Sequence, residues 1–565
     1  MDIMARPNRN SRLSFAHDRT HFTNERDPTV NTSRYETVAA LLDRGAGHAP
    51  AIAAPGHRSL TYDGLRTLVA TTVGWLNAHG IARNDRVAMV LSNGPHAATA
   101  FLAVAVGATA APLNAHYRAE EFEFYLTDLK AKALLVEAGM ASPAREVAAK
   151  LGVTIFELRL DPAAPAGLFT LEGSVENGVG SHFSTGARLP FPKNDSRPHF
   201  PLTPTIAEPG DVALLLHTSG TTSRPKLVPL TQRNITASAQ NIRDTLALTS
   251  DDVCLNIMPL FHIHGLIGGV LSSLSAGAQV CCTPGSHPVK FYIWMDEVRP
   301  TWYTAAPSLH RAIVARASRH AESIARSRLR LIRSSSAALR PELMGALERT
   351  FGVPVLQSYG MTEASHQVAS NPLPPAARKP GSVGCPAGPE VAIMDASGNI
   401  LPQGEMGEVV IRGANVTIGY EANPDANAAA FVNGWFRTGD QGRFDEDGYL
   451  WLTGRFKELI NRGGEKVSPL EIEAVMMEHP GVQQVVVFAM PDEAHGEEIA
   501  AAVVLREHAR VTDRELRHFV ALHLADFKVP RKILFVEQIP GGATGKLQRI
   551  GMAEKLGLAP AAVNR

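Results

Sequence analysis

Asp211-Val-Ala-Leu-Leu-Leu-His-Thr-Ser-Gly-Thr-Thr-Ser-Arg-Pro-Lys226 runs without a break from an apolar segment into a glycine- and hydroxyl-rich loop closed by a lysine. Asp211 to His217 has the length and density of a buried strand, and beyond the loop Ile235, Ile242 and Leu246 recur at helical spacing. The spacing predicts strand, loop, helix. A loop so placed offers backbone N–H groups, hydroxyls and one cation to a polyphosphate. It is not a Walker loop, because Pro225 precedes the lysine and Leu227 follows it, where a Gly and a metal-binding Ser or Thr would stand. A P-loop NTPase is therefore disfavoured, and a plain polar turn does not account for a run this long and this biased.

Outward from this stretch, apolar runs alternate with helical patterns over most of the chain, which predicts α/β layers rather than a bundle or a sandwich. A proline-rich stretch from Pro190 to Pro209 reads as a connector. The last hundred or so residues are tighter. Ser468-Pro-Leu-Glu471 and Thr512-Asp-Arg-Glu515 read as capping boxes opening two helices, the first with Pro at its first position. Strand-like runs at Gln484–Phe488, Ile499–Leu505 and Lys532–Val536 complete a separate small β-α-β-α-β domain.

The 565 residues carry 55 Lys+Arg against 55 Asp+Glu, so there is no basic surplus with which to bind nucleic acid or an anionic membrane broadly. Hydrophobic residues at 45% and charged ones at 19% describe a globular chain, and the length alone suggests about three or four domains. Cys254, Cys281, Cys282 and Cys385 lack zinc spacing and read as core thiols. The uncharged run Ala97 to Leu113 is too small-residue-rich for a membrane span and reads as a buried helix. Residues 1–34 read as an extension without a secretory h-region, and the final Ala-Ala-Val-Asn-Arg carries no peroxisomal or lipid signal, so a cytoplasmic location is expected.

Six stretches stand in a telling order: Thr218 to Lys226, Tyr359-Gly-Met-Thr-Glu363, Trp435-Phe-Arg-Thr-Gly-Asp440, Gly454-Arg-Phe-Lys457, Asn461-Arg-Gly-Gly-Glu-Lys466 and Gly541-Gly-Ala-Thr-Gly-Lys546. In this the chain resembles the adenylate-forming superfamily of acyl-CoA synthetases, luciferases and peptide-synthetase adenylation domains. The resemblance implies a large multi-layer N-terminal adenylation domain (residues 35–454) and a small mobile C-terminal lid (residues 455–565), joined by a hinge near Lys457. It also implies the chemistry. A carboxylate attacks the α-phosphate of ATP to give an acyl-adenylate and pyrophosphate, then the thiol of coenzyme A displaces AMP.

Two anions must be brought together, so cations and a metal are needed to offset their repulsion. By resemblance, Thr218, Ser219, Gly220, Thr221, Thr222 and Lys226 would cradle the phosphates, with Thr221 among the catalytic groups. Glu363, beside Thr362, would hold Mg²⁺. Tyr359 would lie against adenine, with Gly360 leaving room for the nucleotide. Asp440 would accept the ribose hydroxyls, Arg455 would add a ribose or phosphate contact, and Gly463 and Gly464 would face the coenzyme A path. Lys546 would bridge the substrate carboxylate and the α-phosphate.

Around the expected acyl pocket, Phe261-His-Ile-His-Gly265, Arg333-Ser-Ser-Ser-Ala-Ala338 and Thr362-Glu-Ala-Ser-His366 supply histidines, hydroxyls and an arginine, which suit a small polar or doubly charged acid better than a long alkyl chain. His217 to Lys226, Leu260-Phe-His-Ile-His-Gly265, Thr301-Trp-Tyr-Thr-Ala305 and Met361 to Pro374 are similar to oxalate–CoA ligases of plants and fungi, which makes oxalate the expected substrate and His264, Ser334 and His366 the expected donors. Leu227, where the family usually has Gly, is expected to crowd the loop's exit, and Ser335 and Ala337 also depart from those ligases. Ligases for other short, medium-chain or aromatic acids, a luciferase-like oxygenase, a carrier-protein ligase and a nucleotide-binding protein without catalysis stay open as alternatives. Oligomeric state is not legible, and a homodimer is an open option.

Lys546→Ala is expected to abolish nearly all acyl-AMP formation while leaving conversion of supplied acyl-AMP to the thioester largely intact, because its charge serves only the first step. Rapid-quench assays of the two half-reactions read this, and equal loss in both contradicts it.

Overall fold

The computed structural model describes residues 35–173, 205–218, 225–462, 465–492, 495–540 and 548–558. The extension 1–34, most of the Pro190–Pro209 connector, and Ser219, Gly220, Thr221, Thr222, Gly463, Gly464 and Lys546 lie outside the described residues.

A nine-stranded sheet carries Val253–Asn256, Trp302–Ala305, Leu331–Ser334 and Val355–Met361, all parallel, with His366–Ser370 antiparallel beside the last. Its inner strands are buried on both faces, as parallel strands under helices must be. Alternate residues supply two apolar layers. Cys254, Trp302, Leu331 and Leu356 face one, while Leu255, Tyr303, Ile332 and Val355 face the other.

A seven-stranded sheet ends in Val212–Thr218 and Lys226–Thr231. The expected strand, loop, helix is thus corrected to strand, loop, strand, helix, since these two strands pair antiparallel with Thr218 opposite Lys226 before the helix Gln232–Thr245 begins. Pro229 obscured the second strand. It is tolerated because the strand lies at the sheet edge, where a missing N–H breaks no ladder. Leu227 packs with Leu215, Val90 and Leu113 in an apolar layer, while the loop residues 219–224 that it was expected to crowd lie outside the described residues. The run Ala97–Leu113 likewise divides, into a buried helix Pro95–Gly107 and a strand Thr109–Pro112.

A smaller antiparallel sheet contains Gly407–Arg412, Trp435–Phe444 and Leu450–Arg455, with Asp440 directly opposite Arg455. The C-terminal unit has its own sheet and its own core, including Ile472, Met476, Val487, Ile499, Val503 and Leu516. The expected β-α-β-α-β alternation is present with paired strands in its first two β positions: Ile460–Arg462 with Glu465–Val467, then Val482–Asp492 with Gly496–Leu505. Thr512 and Glu515 make their reciprocal cap, Thr512 Oγ1 accepting from the Glu515 N–H and a Glu515 carboxylate oxygen from the Thr512 N–H. Ser468 does not. Its hydroxyl instead donates to the Thr453 carbonyl at 2.5 Å, tying the first helix of this unit to the strand Leu450–Arg455.

Cys254, Cys281 and Cys282 are buried free thiols, as expected, and Cys385 is half-buried. No helix among the described residues is long and apolar enough to cross a membrane.

Candidate active site

Strand ends and turns from all three sheets of the N-terminal unit meet around two buried carboxylates. Asp440, 5% exposed, accepts hydrogen bonds from the Tyr359 phenol through Oδ2 and from Arg455 Nε through Oδ1, the latter at 2.9 Å. Burial raises its pKa, while Arg455 and the phenol oppose that rise. Tyr359 holds its own proton far more tightly than usual, because its hydroxyl is buried against a carboxylate. Each carboxylate oxygen has a second lone pair, so Asp440 keeps acceptor capacity for a ligand's hydroxyls.

Glu363 lies in the turn Thr362–Ala364 after the Tyr359 strand, 7% exposed. The Tyr420 hydroxyl donates to its Oε1 at 2.9 Å, and the Tyr420 ring lies 4.2 Å beneath the Lys226 ammonium. Tyr420 therefore joins the lysine of the loop to the carboxylate of the turn. Burial raises the pKa of Glu363, countered by the Tyr420 bond, Arg455 and Lys226. Burial lowers that of Lys226, and the nearby charge of Lys457 lowers it further, against Glu363. Lys226, Glu363, Asp440, Arg455 and Lys457 thus form one electrostatic neighbourhood. Thr218 pairs opposite Lys226 at the mouth of the loop.

The expected acyl-side residues form a second cluster. His264 begins a π-helical segment, His264–Leu271, a geometry that recurs at functional sites. Its ring stacks on His366 with centroids 4.8 Å apart. Gly268 makes the stack feasible, since a methyl there would meet His366 at 2.8 Å and His264 at 3.0 Å. Both His264 nitrogens are engaged by hydroxyls, Nε2 with Thr304 at 2.6 Å and Nδ1 with Ser336 at 2.8 Å. Ser334 Oγ is buried without a hydrogen-bond partner among the described residues. Ser365 and His366 have φ of 49° and 102°, and Ser336 has 74°; such backbone is costly for side-chain-bearing residues and tends to gather at working sites.

Two of the expected nucleotide-side residues also have packing roles. A Cβ at Gly360 would sit 1.6 Å from the His366 carbonyl oxygen, at the irregularity where the two strands change register. Tyr359 is a core side chain over most of its ring, 9% exposed, and its hydroxyl is the part bonded at the site. The sequence reading also missed Tyr420, a single aromatic in a loop, whose only signal was its place in Thr417-Ile-Gly-Tyr420 after a strand. It passed over Thr304, Ser336 and Arg333 as well, each noted only as part of its segment. Whether Ser219, Gly220, Thr221, Thr222, Gly463, Gly464 and Lys546 join this centre lies outside the described residues.

With this geometry in view, comparison with known proteins is specific. The AMP-binding enzyme family profile matches residues 41–421 and its C-terminal domain profile matches 471–546. The chain belongs to the AMP-binding enzyme family. It is 44% identical to an oxalate–CoA ligase of Arabidopsis thaliana over 91% of this chain and 97% of that one. An oxalate–CoA ligase of Saccharomyces cerevisiae is 43% identical, over 84% of this chain and 87% of that protein. Among solved structures, ATP-bound MatB from Rhodopseudomonas palustris superposes with a TM-score of 0.78 at 28% identity, covering 92% of this chain and 99% of that one.

Gly360→Ala is expected to cost about 3 kcal/mol or more, a fall in Tm of about 5 °C, because the added methyl meets backbone that cannot yield. Gly74→Ala, in the helix Tyr62–Ala78 with open space where its methyl would go, is expected to raise stability by about 0.5–1 kcal/mol. Thermal unfolding of both variants reads the contrast, and an unchanged Tm for Gly360→Ala contradicts the packing argument.

Proposed function

We propose that the chain is an AMP-forming acid–thiol ligase whose acid is oxalate. It would join oxalate to ATP as oxalyl-AMP with release of pyrophosphate, then pass the oxalyl group to coenzyme A with release of AMP. Family membership and the two oxalate–CoA ligases at 44% and 43% identity support the reaction class. The observation that carries the substrate is the polar acyl-side cluster. Stacked His264 and His366, with the unpartnered hydroxyl of Ser334, suit a small acid with a second charged end and would be a poor lining for an alkyl chain.

In this reading Asp440 and Arg455 hold the ribose side of the nucleotide, Asp440 through its remaining lone pairs, with Tyr359 fixing the carboxylate. Thr218, Ser219, Gly220, Thr221, Thr222 and Lys226 hold the phosphates. Lys226 keeps its ammonium over the Tyr420 ring, so one cation faces the phosphate oxygens without being neutralised by a carboxylate bond. The donor set fits a Mg²⁺ ion. One buried carboxylate, oriented by Tyr420 and flanked by cations, is too little for an all-protein site but suits an ion that takes its other oxygens from phosphate and water. Glu363 would hold it, and the ion would supply charge neutralisation at the phosphates.

The small unit, proposed to begin at residue 455 and to turn about Lys457, would deliver Lys546 to the reacting carboxylate in the first step. In the second it would present Gly463 and Gly464 to coenzyme A. A hinge there acts beside the phosphates, since the charge of Lys457 is felt at Lys226.

Release of AMP from ATP with oxalate, malonate, acetate, octanoate and 4-coumarate, each with and without coenzyme A, tests the substrate. Oxalate is expected to give coenzyme A-dependent turnover at least about tenfold above the other acids in kcat/KM, a difference of about 1.4 kcal/mol. If another acid turns over and oxalate does not, the substrate assignment fails and the reaction class stands.

A further inference from the structure

Arg333 is the largest polar side chain with no exposure at all, lying in the strand Leu331–Ser334 between Trp302–Ala305 and Val355–Met361. A buried guanidinium ordinarily meets a carboxylate. This one has no ion pair among the described residues: Nη1 lies 2.9 Å from His366 Nε2, Nη2 donates to Gln367 Oε1 at 3.2 Å, and Nε has no partner there. Gln367 is itself fixed in that orientation, its amide nitrogen donating to Thr245 Oγ1 and to the Ala387 carbonyl, both at 3.0 Å. The fold therefore holds a cation beside the His264–His366 stack and, among the described residues, supplies no anion to balance it.

The chemistry of the Arg333–His366 contact is determined. Arginine has only donors, so His366 Nε2 must present its lone pair, and a neutral ring must then carry its proton on Nδ1. Burial, Arg333 and His264 all disfavour a second proton on that ring. His366 is thereby set as a neutral imidazole with a single N–H, on the side away from the guanidinium.

We infer that Arg333 is the positioning residue that makes the acyl pocket select acids with a second negative end: it fixes His366 as an Nδ1–H donor and places an uncompensated positive charge behind it. This inference rests on the dicarboxylate reading above and adds the source of its charge preference. Arg333 does not touch the acid in this account. It acts through His366, and its charge is balanced when the dianion arrives. An acid with a neutral far end would leave that charge unbalanced, while losing little in shape.

The test compares oxalate with oxamate, its isosteric monoamide, by acid-dependent AMP release in wild type, Arg333→Met and Arg333→Lys. Arg333→Met is expected to raise the KM for oxalate about 30-fold or more, since a buried charge loses its partner, and to change that for oxamate less than about threefold. The KM for ATP is expected to hold, and Arg333→Lys to restore part of the oxalate preference. Equal loss for both acids in a variant with wild-type Tm overturns the inference.

A second measurement needs no variant. Nitrogen-15 shifts of labelled histidine in the whole wild-type protein are expected to show His366 neutral and protonated on Nδ1 at pH 7; protonation on Nε2, or a charged ring, overturns the inference. If wild type uses no oxalate, the substrate reading fails by itself, and malonate against its monoamide then decides the role of Arg333. A preference for malonate that Arg333→Met abolishes supports it, and no preference overturns it.

Discussion

The bond from Tyr359 to Asp440, with Arg455 on the other carboxylate oxygen, is the interaction on which the arrangement rests. Tyr359 comes from the nine-stranded sheet, and Asp440 and Arg455 come from facing strands of the small antiparallel one. A carboxylate buried to this extent is tolerated only when its lone pairs are met, so the two sheets are held in register by a polar requirement rather than by apolar contact alone. The turn bearing Glu363 follows directly on the Tyr359 strand. Arg455 ends the strand from which the chain enters the C-terminal unit. Moving either sheet would break the Tyr359 bond and leave Asp440 to Arg455 alone.

A second theme is the deliberate surplus of local positive charge in a chain whose net charge is zero. Lys226 rests on an aromatic ring rather than on a carboxylate, and Arg333 rests on neutral groups. Such cations are poorly compensated by the protein itself, which favours anionic ligands when they bind and keeps the site from collapsing onto internal ion pairs. A net charge of zero does not show where single cations sit: half-buried Lys226 and buried Arg333 have no carboxylate bond among the described residues.

Much of this was legible because the chemistry is written in short contiguous stretches. Lys226, Glu363, Asp440 and Arg455 each lie inside a motif whose order points to nucleotide chemistry, and the structure brings these four together. What escaped the sequence were relations between distant residues. Tyr420 acquires its role only when its loop folds over Lys226 and Glu363. Gly360 is glycine because of His366, across a strand irregularity that no periodicity reports. Pro229 hid an edge strand, because a proline argues against a strand unless its edge position is known. Ser468 matched a capping box, but its hydroxyl donates to the Thr453 carbonyl and its oxygen accepts no cap bond from the helix.

The central claim is that a carboxylate oxygen of oxalate attacks the α-phosphorus of ATP in this site. Turnover of oxygen-18-labelled oxalate with ATP and coenzyme A, followed by mass spectrometry of the AMP, tests it most directly. One labelled oxygen is expected in the phosphoryl group of each AMP and none in pyrophosphate. Unlabelled AMP, or label appearing in pyrophosphate or inorganic phosphate, would contradict it.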